Sequence, residues 1–175
     1  VSIPRRRRNL SLMKSDKPVI ILADDDKNTR EGIGRALRDH YEVLLAENGE
    51  RALELLAERP VDVLISDMRM PGMDGLSLLQ RALARQPRPA VIVLTAYGSV
   101  ETAVEAMKRG ATDFLQKPVD LNVLEQRLAR AVQMARMERE NETLKAQLDR
   151  RYGLEQIIGE SPAMEEVFDI IRQAA

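Results

Sequence analysis

Residues 61–75 read VDVLISDMRMPGMDG, and this stretch decides the fold. It opens with a short apolar run rich in β-branched residues, which is typical of a buried strand. Pro71 and Gly72 then mark a loop. Asp67 is therefore predicted just past the carboxyl end of a core strand, where open α/β sheets bind their ligands. Because an aspartate before Pro-Gly also fits an ordinary turn, the other strand ends must decide its role.

The composition of this 175-residue chain indicates a globular protein with an aliphatic core, since 44% of the residues are apolar and only 3% are aromatic. The length suits one domain plus a tail. The sequence has no cysteine, which excludes a disulfide framework, a thiolate zinc site and a cysteine nucleophile. No apolar run approaches the roughly 18 residues of a membrane span. We therefore expect a cytoplasmic protein without membrane contacts.

The charge is unevenly distributed along the chain. Residues 1–17 carry six cations against Asp16, a net of +5, although the whole chain has a net charge of -1. A basic arm of this kind could touch nucleic acid or acidic lipid. It lacks the apolar segment of a signal peptide, so we interpret residues 1–17 as a disordered basic leader.

Four further apolar runs predict strands. They span residues 17–23, 41–46, 90–94 and 113–116. Apolar residues at helical spacing predict the helices that alternate with these strands, and Asp26 is a suitable N-cap for the first of them. The helices span residues 27–40, 49–59, 75–85 and 100–109.

This alternation predicts an α/β fold. Near-continuous apolar strands are typical of a parallel sheet covered by helices on both faces. Right-handed crossovers leave few topologies. The common one at this size is the flavodoxin-like, or CheY-like, doubly wound sheet with strand order 2-1-3-4-5.

In that order, polar residues at four strand ends converge on one crevice. They are Asp24 with Asp25, Asp67, Thr95 and Lys117. Three carboxylates at one edge repel each other and need a cation. Mg²⁺ fits best, since it takes oxygen ligands and is usually held by one or two carboxylates plus a phosphate. The sequence after Asp24 lacks the glycine turn and distal glutamate of a calcium loop.

With its charge neutralised, Asp67 could act as a nucleophile toward phosphorus and form an acyl phosphate. Phosphoryl transfer needs mainly positioning and stabilisation of the charge on the equatorial oxygens. Mg²⁺, Lys117 and the Thr95 hydroxyl would each take one of these oxygens. The small residue Ala96 would leave room for the incoming group.

Four motifs resemble the receiver domain of two-component response regulators, over roughly residues 18–135. They are LADDD at 22–26, ISDMRMPGMDG at 65–75, LTAYG at 94–98 and DFLQKP at 113–118. The resemblance implies that Asp67 is the phospho-acceptor for a sensor histidine kinase. It also implies that Asp25 is a direct Mg²⁺ ligand, that Asp24 is its acidic partner and that Arg69 contributes a backbone carbonyl.

The same resemblance implies a switch at the end of the sheet. Thr95 and Lys117 would be the switch hydroxyl and the phosphate-binding lysine, and Lys117-Pro118 is expected to be a cis peptide. The family usually has an aromatic residue three positions before that lysine, and here it is Phe114. Because Phe lacks a phenol hydroxyl, it would have to switch by packing alone, and simple core packing is the alternative.

From Leu121 the sequence predicts one helix that extends to the residue before Gly153. A heptad pattern follows the first turns, with Met134, Asn141 and Leu148 at position a and Met137 and Leu144 at position d. Asn at position a favours a parallel two-stranded coiled coil, and therefore a homodimer. The repeat spans little over two heptads, so a lone charged helix remains the alternative.

The segment IIGESPAM at residues 157–164 resembles the opening of the AAA+ ATPase module in NtrC-type activators of sigma-54 RNA polymerase. No G-x-x-x-x-G-K-[ST] motif occurs in the sequence. We therefore interpret residues 18–133 as the receiver, 134–152 as a coiled-coil linker and 153–175 as the start of an ATPase domain. In a full-length activator, the further partners would be sigma-54 RNA polymerase, ATP and DNA.

The sequence leaves two alternatives open. A phosphatase of the haloacid dehalogenase type has its nucleophile in a D-x-D motif after strand 1, and Asp24 with Asp26 has that spacing. A receiver-like scaffolding module would keep the shape without phosphorylation. The first alternative requires phosphate on Asp24, and the second predicts no binding of Mg²⁺ or of a phosphate mimic.

Overall fold

The computed structural model describes residues 17–96 and 100–152, with the backbone only for residues 149–152. The predicted leader, except for Lys17, and the segment that resembles an ATPase domain lie outside these residues. Tyr97 and Gly98 of the LTAYG motif lie outside them as well.

Five strands alternate with five helices in the described ranges. The strands are β1 (Val19–Ala23), β2 (Glu42–Ala46), β3 (Val63–Asp67), β4 (Ala90–Thr95) and β5 (Asp113–Gln116). The helices are α1 (Lys27–Leu37), α2 (Gly49–Glu58), α3 (Gly75–Leu83), α4 (Val100–Lys108) and α5 (Leu121–Tyr152).

The strands form one parallel sheet with the order β2-β1-β3-β4-β5. This confirms the predicted flavodoxin-like topology and the extended C-terminal helix. Parallel neighbours require crossover connections, which the helices provide. All carboxyl ends therefore lie at one edge of the sheet.

Apolar side chains pack on both faces of the sheet. The cluster on one face includes Leu55 of α2 and Leu78 of α3, and the cluster on the other includes Leu37 of α1 and Leu128 of α5. Strands β1, β3 and β4 are buried throughout. The sheet is therefore covered on both faces as predicted, and its edge strands β2 and β5 are partly exposed.

Four helices end earlier than the sequence predicted. Helix α1 ends at Leu37 rather than at residue 40, because the N–H groups of His40 and Tyr41 both donate to the Leu37 carbonyl and close the helix in a turn. Helix α2 ends at Glu58, α3 at Leu83 and α4 at Lys108, one or two residues before their predicted ends.

The chain divides into two compact units, residues 1–137 and 138–175. The first contains the sheet, and the described part of the second is the C-terminal portion of α5. Within the described ranges, no helix combines the length and the apolar content that a bilayer crossing requires.

Candidate functional site

The carboxyl edge of the sheet brings together the residues predicted from four strand ends. Asp24 directly follows β1, and Lys117 directly follows β5. Thr95 is the last residue of β4. Asp67 is the last residue of β3, so its predicted position just past the strand is wrong by one step. The difference arises because Asp67 still pairs with Leu94 in the parallel ladder.

The Lys117 ammonium joins two of the carboxylates. Its Nζ donates to Oδ2 of Asp24 and to Oδ2 of Asp67, at 2.7 Å in both cases. The Asp24 side chain is fully buried, and that of Asp67 is 10% exposed. Two buried carboxylates therefore share one cation.

This arrangement changes the acidity of both partners. Burial raises the pKa of Asp24, and the hydrogen bond and charge of Lys117 oppose that rise only in part. Burial disfavours the charged Lys117 ammonium, but its hydrogen bonds to Asp24 and Asp67 outweigh burial and raise the pKa of Lys117. The site therefore keeps Lys117 charged, whereas the ionised form of Asp24 is held there at a cost in free energy. A second cation would reduce that cost.

Three carboxylates are close enough to bind one metal ion. Oxygen atoms of Asp24, Asp25 and Asp67 lie within 4.8 Å of one another. Asp25 is exposed while the other two are buried, so the cluster opens to solvent on one side. That geometry fits Mg²⁺, which usually keeps several waters and binds one or two carboxylates.

The loop after β3 is held close to Asp67. The Arg69 N–H donates to Oδ1 of Asp67 at 3.3 Å. At the start of α3, the Gly75 N–H donates to the Met68 carbonyl at 3.1 Å. A Cβ on Gly75 would overlap the Asp67 carbonyl oxygen and lie 2.7 Å from Cα of Met68. Only glycine allows the start of α3 to come this close to the end of β3. The sequence analysis missed this requirement, although the PGMDG motif contains the residue.

Thr95 lies beside this cluster in the sheet. It is 1% exposed, and its Oγ1 donates to the Leu115 carbonyl at 3.4 Å, which is a long hydrogen bond. The Thr95 carbonyl accepts from the Lys117 N–H at 2.8 Å. The ends of β4 and β5 are therefore joined directly beneath the lysine.

A family profile and individual proteins match this chain. The profile for the response regulator receiver domain matches residues 20–129, more than half of the sequence. The chain belongs to the response regulator receiver domain family. The site described above is thus the acidic edge of a receiver domain.

The relatives narrow the type of receiver. The regulatory protein AtoC of Escherichia coli K12 is 38% identical over 149 residues, which cover 85% of this chain and 32% of AtoC. The transcriptional regulator NtrC of the same strain is 39% identical over 154 residues, which cover 87% and 32%. These relatives are sigma-54 activator response regulators. The chain spans about a third of the length of the curated relatives it matches.

Solved structures agree with the receiver fold. The receiver domain of NtrX from Brucella abortus superposes with a TM-score of 0.62 at 31% sequence identity. The match covers 65% of this chain and 98% of the NtrX domain.

Two of the three predicted switch residues, Phe114 and Pro118, lie on or just after β5. Phe114 is 39% exposed. It lines a cavity of about 410 Å³ with Val100 and Val104 of α4. The peptide bond between Lys117 and Pro118 is cis, which confirms that expectation. The switching roles of Thr95, Phe114 and Pro118 remain predictions.

The predicted dimer residues of α5 are exposed. In the first unit, Met134 and Met137 are 54% and 62% exposed. In the second unit, Leu144 and Leu148 are 53% and 56% exposed, and Asn141 is exposed as well. Large apolar side chains on a charged helix suit a partner helix, but the coiled coil remains a prediction.

The sequence analysis also missed Arg30. Its Nη1 donates to the backbone carbonyls of Asp24 and Asp25. The available signal was its spacing, because a residue four positions after the N-cap Asp26 lies one helical turn away from the cap.

Proposed function

We propose that this receiver takes a phosphoryl group from the phosphohistidine of a sensor histidine kinase onto Asp67, in a Mg²⁺-dependent reaction in the bacterial cytoplasm. The observation that carries the proposal is the Lys117 ammonium, which holds Asp67 and Asp24 together beside the exposed Asp25. This arrangement supplies a nucleophile, a phosphate-binding cation and a metal site on neighbouring strand ends.

In the proposed reaction, one Asp67 oxygen attacks phosphorus in line with the leaving imidazole. The new P–O bond gives an acyl phosphate as the P–N bond breaks and its electron pair returns to the histidine nitrogen. Lys117 donates to one phosphoryl oxygen, and the Thr95 hydroxyl turns from the Leu115 carbonyl to another. The length of the Thr95 hydrogen bond, 3.4 Å, supports this exchange because little is lost when it breaks.

Asp24, Asp25 and Asp67 would hold the Mg²⁺, together with the backbone carbonyl of Arg69. When bound, the ion neutralises negative charge on the carboxylates and on the phosphoryl oxygens. The proximity of the three carboxylates and the raised pKa of Asp24 support a cation at this position.

The phosphatase alternative has less support. Its D-x-D motif would need Asp24 as an accessible nucleophile and Asp26 as an acid. Asp24 is fully buried and accepts from Lys117 and from the Asp26 N–H. The Asp26 side chain caps α1 by accepting from the Thr29 N–H at 2.7 Å.

The output of the phosphorylated receiver would be a change in how the α5 linkers pair. Residues 134–152 would form a coiled coil in a homodimer, and the partner module would be the ATPase of a sigma-54-dependent activator. In the whole protein, sigma-54 RNA polymerase, ATP and DNA would be the further partners. The relatives AtoC and NtrC support this proposal.

The first test is labelling with a radioactive phosphodonor. Wild-type protein incubated with a labelled histidine kinase and Mg²⁺ should carry label on Asp67, whereas Asp67→Asn should carry none. Asp39→Asn is the matched control, since Asp39 is an exposed carboxylate in the turn after α1. Label that persists in Asp67→Asn would refute the proposal, and label lost only in Asp24→Asn would favour the phosphatase.

A second measurement addresses the scaffolding alternative. Titration of the wild-type protein with Mg²⁺ and beryllofluoride should shift amide NMR signals at the ends of β1, β3 and β4. A spectrum that does not change would support a module that keeps the receiver shape without phosphorylation.

A further inference from the structure

The Arg30 side chain binds the backbone of the loop between β1 and α1, which carries Asp24 and Asp25. Its Nη1 donates to the Asp24 carbonyl at 2.5 Å and to the Asp25 carbonyl at 3.3 Å. Two carbonyls that face one position repel each other, and a guanidinium nitrogen between them satisfies both. The loop between β1 and α1 is thereby tied to the second turn of α1.

Two other hydrogen bonds of this loop involve side-chain oxygens instead of the two carbonyls. Oδ1 of Asp24 accepts from the Asp26 N–H at 2.9 Å, and the Asp26 side chain caps α1. In the described part of the chain, the Asp25 carboxylate accepts no hydrogen bond and forms no ion pair. The point from which this side chain projects is therefore set by its backbone, and Arg30 binds the carbonyl of that backbone.

From this geometry we infer that Arg30 is a positioning residue that strengthens Mg²⁺ binding by fixing the carbonyls of Asp24 and Asp25. The inference rests on the proposed metal site. The hydrogen bonds of Arg30 go to the backbone carbonyls of the loop and not to the Asp67 carboxylate, so Arg30 would act through the loop. Groups that orient metal ligands from outside the coordination shell typically contribute 10-fold to 100-fold to affinity.

The charge of Arg30 has the opposite effect, because a cation near the cluster repels a second cation. That repulsion is weak because Arg30 is partly exposed and is screened by solvent and salt. Its hydrogen bonds are charge-assisted and act directly on the ligand loop. Ordering of the loop therefore outweighs the repulsion.

The test is a Mg²⁺ titration followed by amide NMR signals, without any phosphodonor. Arg30→Met should raise the Mg²⁺ dissociation constant about tenfold. It should also shift or broaden the signals of Asp25 and Asp26 in the metal-free protein. Arg30→Lys should recover part of the affinity, because an ammonium can reach one carbonyl but lacks the guanidinium fork.

Lys27→Met is the matched control. Lys27 is a cation of the first turn of α1, and it pairs with Glu31 at 3.8 Å instead of contacting the loop. Removal of its charge should leave Mg²⁺ affinity within about twofold of wild type, as expected for a screened surface charge. The amide spectrum of Lys27→Met also provides the reference for correct folding. If Arg30→Met does not fold, Arg30→Lys takes its place in the comparison.

The outcomes separate two questions. If the wild type does not bind Mg²⁺, the proposed metal site is wrong, and this inference falls with it. If the wild type binds Mg²⁺ and Arg30→Met binds it equally or more tightly, the positioning role alone is wrong. Equal weakening in Arg30→Met and Lys27→Met would also overturn the inference, since it would indicate a general disturbance of the start of α1 rather than the loss of the Arg30 hydrogen bonds.

Discussion

Single residues set the electrostatics of the site. Lys117 is the cation that compensates both Asp24 and Asp67, and each of these contacts is 2.7 Å long. A buried charge that loses its partner is strongly destabilising, even where the pair itself contributes little to stability. Stability of the metal-free receiver therefore depends on this lysine.

We expect Lys117→Met to lower the free energy of unfolding by about 2 kcal/mol at neutral pH without Mg²⁺. This loss is smaller than the roughly 3 to 5 kcal/mol that breaking a fully buried pair costs, because the Lys117 side chain is partly exposed. Mg²⁺ should restore part of the loss, because it replaces the missing positive charge. Urea unfolding with and without Mg²⁺ measures both effects. Lys108→Met, which removes an exposed cation at the end of α4, should change little. An unchanged unfolding midpoint in Lys117→Met would show that the carboxylates do not need this cation.

At the scale of elements, the caps fix where the helices begin. Asp74 caps α3 by accepting from the Ser77 N–H at 2.8 Å. Asn48 caps α2 in the same way, by accepting from the Arg51 N–H at 2.7 Å. One cap is charged and the other is neutral, so they form a natural pair for a pH experiment.

Hydrogen bonds from the Ser77 N–H and hydroxyl lower the pKa of Asp74 below its ordinary value of 3.8. The stability that this charged cap contributes is therefore complete above pH 3.8 and is lost as the pH falls through the lowered value. Asp74→Ala should cost about 1 kcal/mol at neutral pH, and its cost should shrink in acid.

Asn48→Ala should cost a similar amount at every pH, because its cap does not titrate. Urea unfolding at neutral pH and below pH 3.8 compares the two variants. If the cost of Asp74→Ala does not change with pH, the cap acts by its geometry and not by its charge.

The elements also show which features a sequence can predict. Strands β1, β3 and β4 were predicted because each is a short β-branched run closed by a polar residue. The helix ends were less accurate, since the Leu37 carbonyl accepts two N–H groups in a turn that the apolar spacing does not encode. The meeting of Asp24, Asp67 and Lys117 follows from the strand order. The contacts of Lys117 and Arg30 do not, because the direction of a long side chain depends on its neighbours in space.

At the scale of the whole molecule, α5 carries exposed apolar residues beyond those that pack on the sheet. Met137 and Leu144 are 62% and 53% exposed in the single chain. In the proposed coiled coil these residues would occupy the seam at position d, with Asn141 fixing the register between them.

A charge in this seam should weaken the dimer. We expect Leu144→Glu to raise the dissociation constant of the dimer at least about tenfold, which corresponds to about 1.4 kcal/mol. Ala146→Glu introduces the same charge at the outward position f and should have little effect. Sedimentation of both variants, with and without beryllofluoride, measures the change. If Leu144→Glu and Ala146→Glu change the dissociation constant of the dimer equally, the assignment of Leu144 to the seam is wrong.

The Lys117 contacts have a consequence for how the receiver is made. This lysine binds carboxylates that lie 93 and 50 residues earlier in the chain. Such distant contacts form late, because the intervening loops must close before the contact stabilises them. During synthesis, both aspartates leave the ribosome well before the lysine does. If the proposed phosphorylation is correct, a nascent receiver cannot accept a phosphoryl group until the fifth strand has joined the sheet.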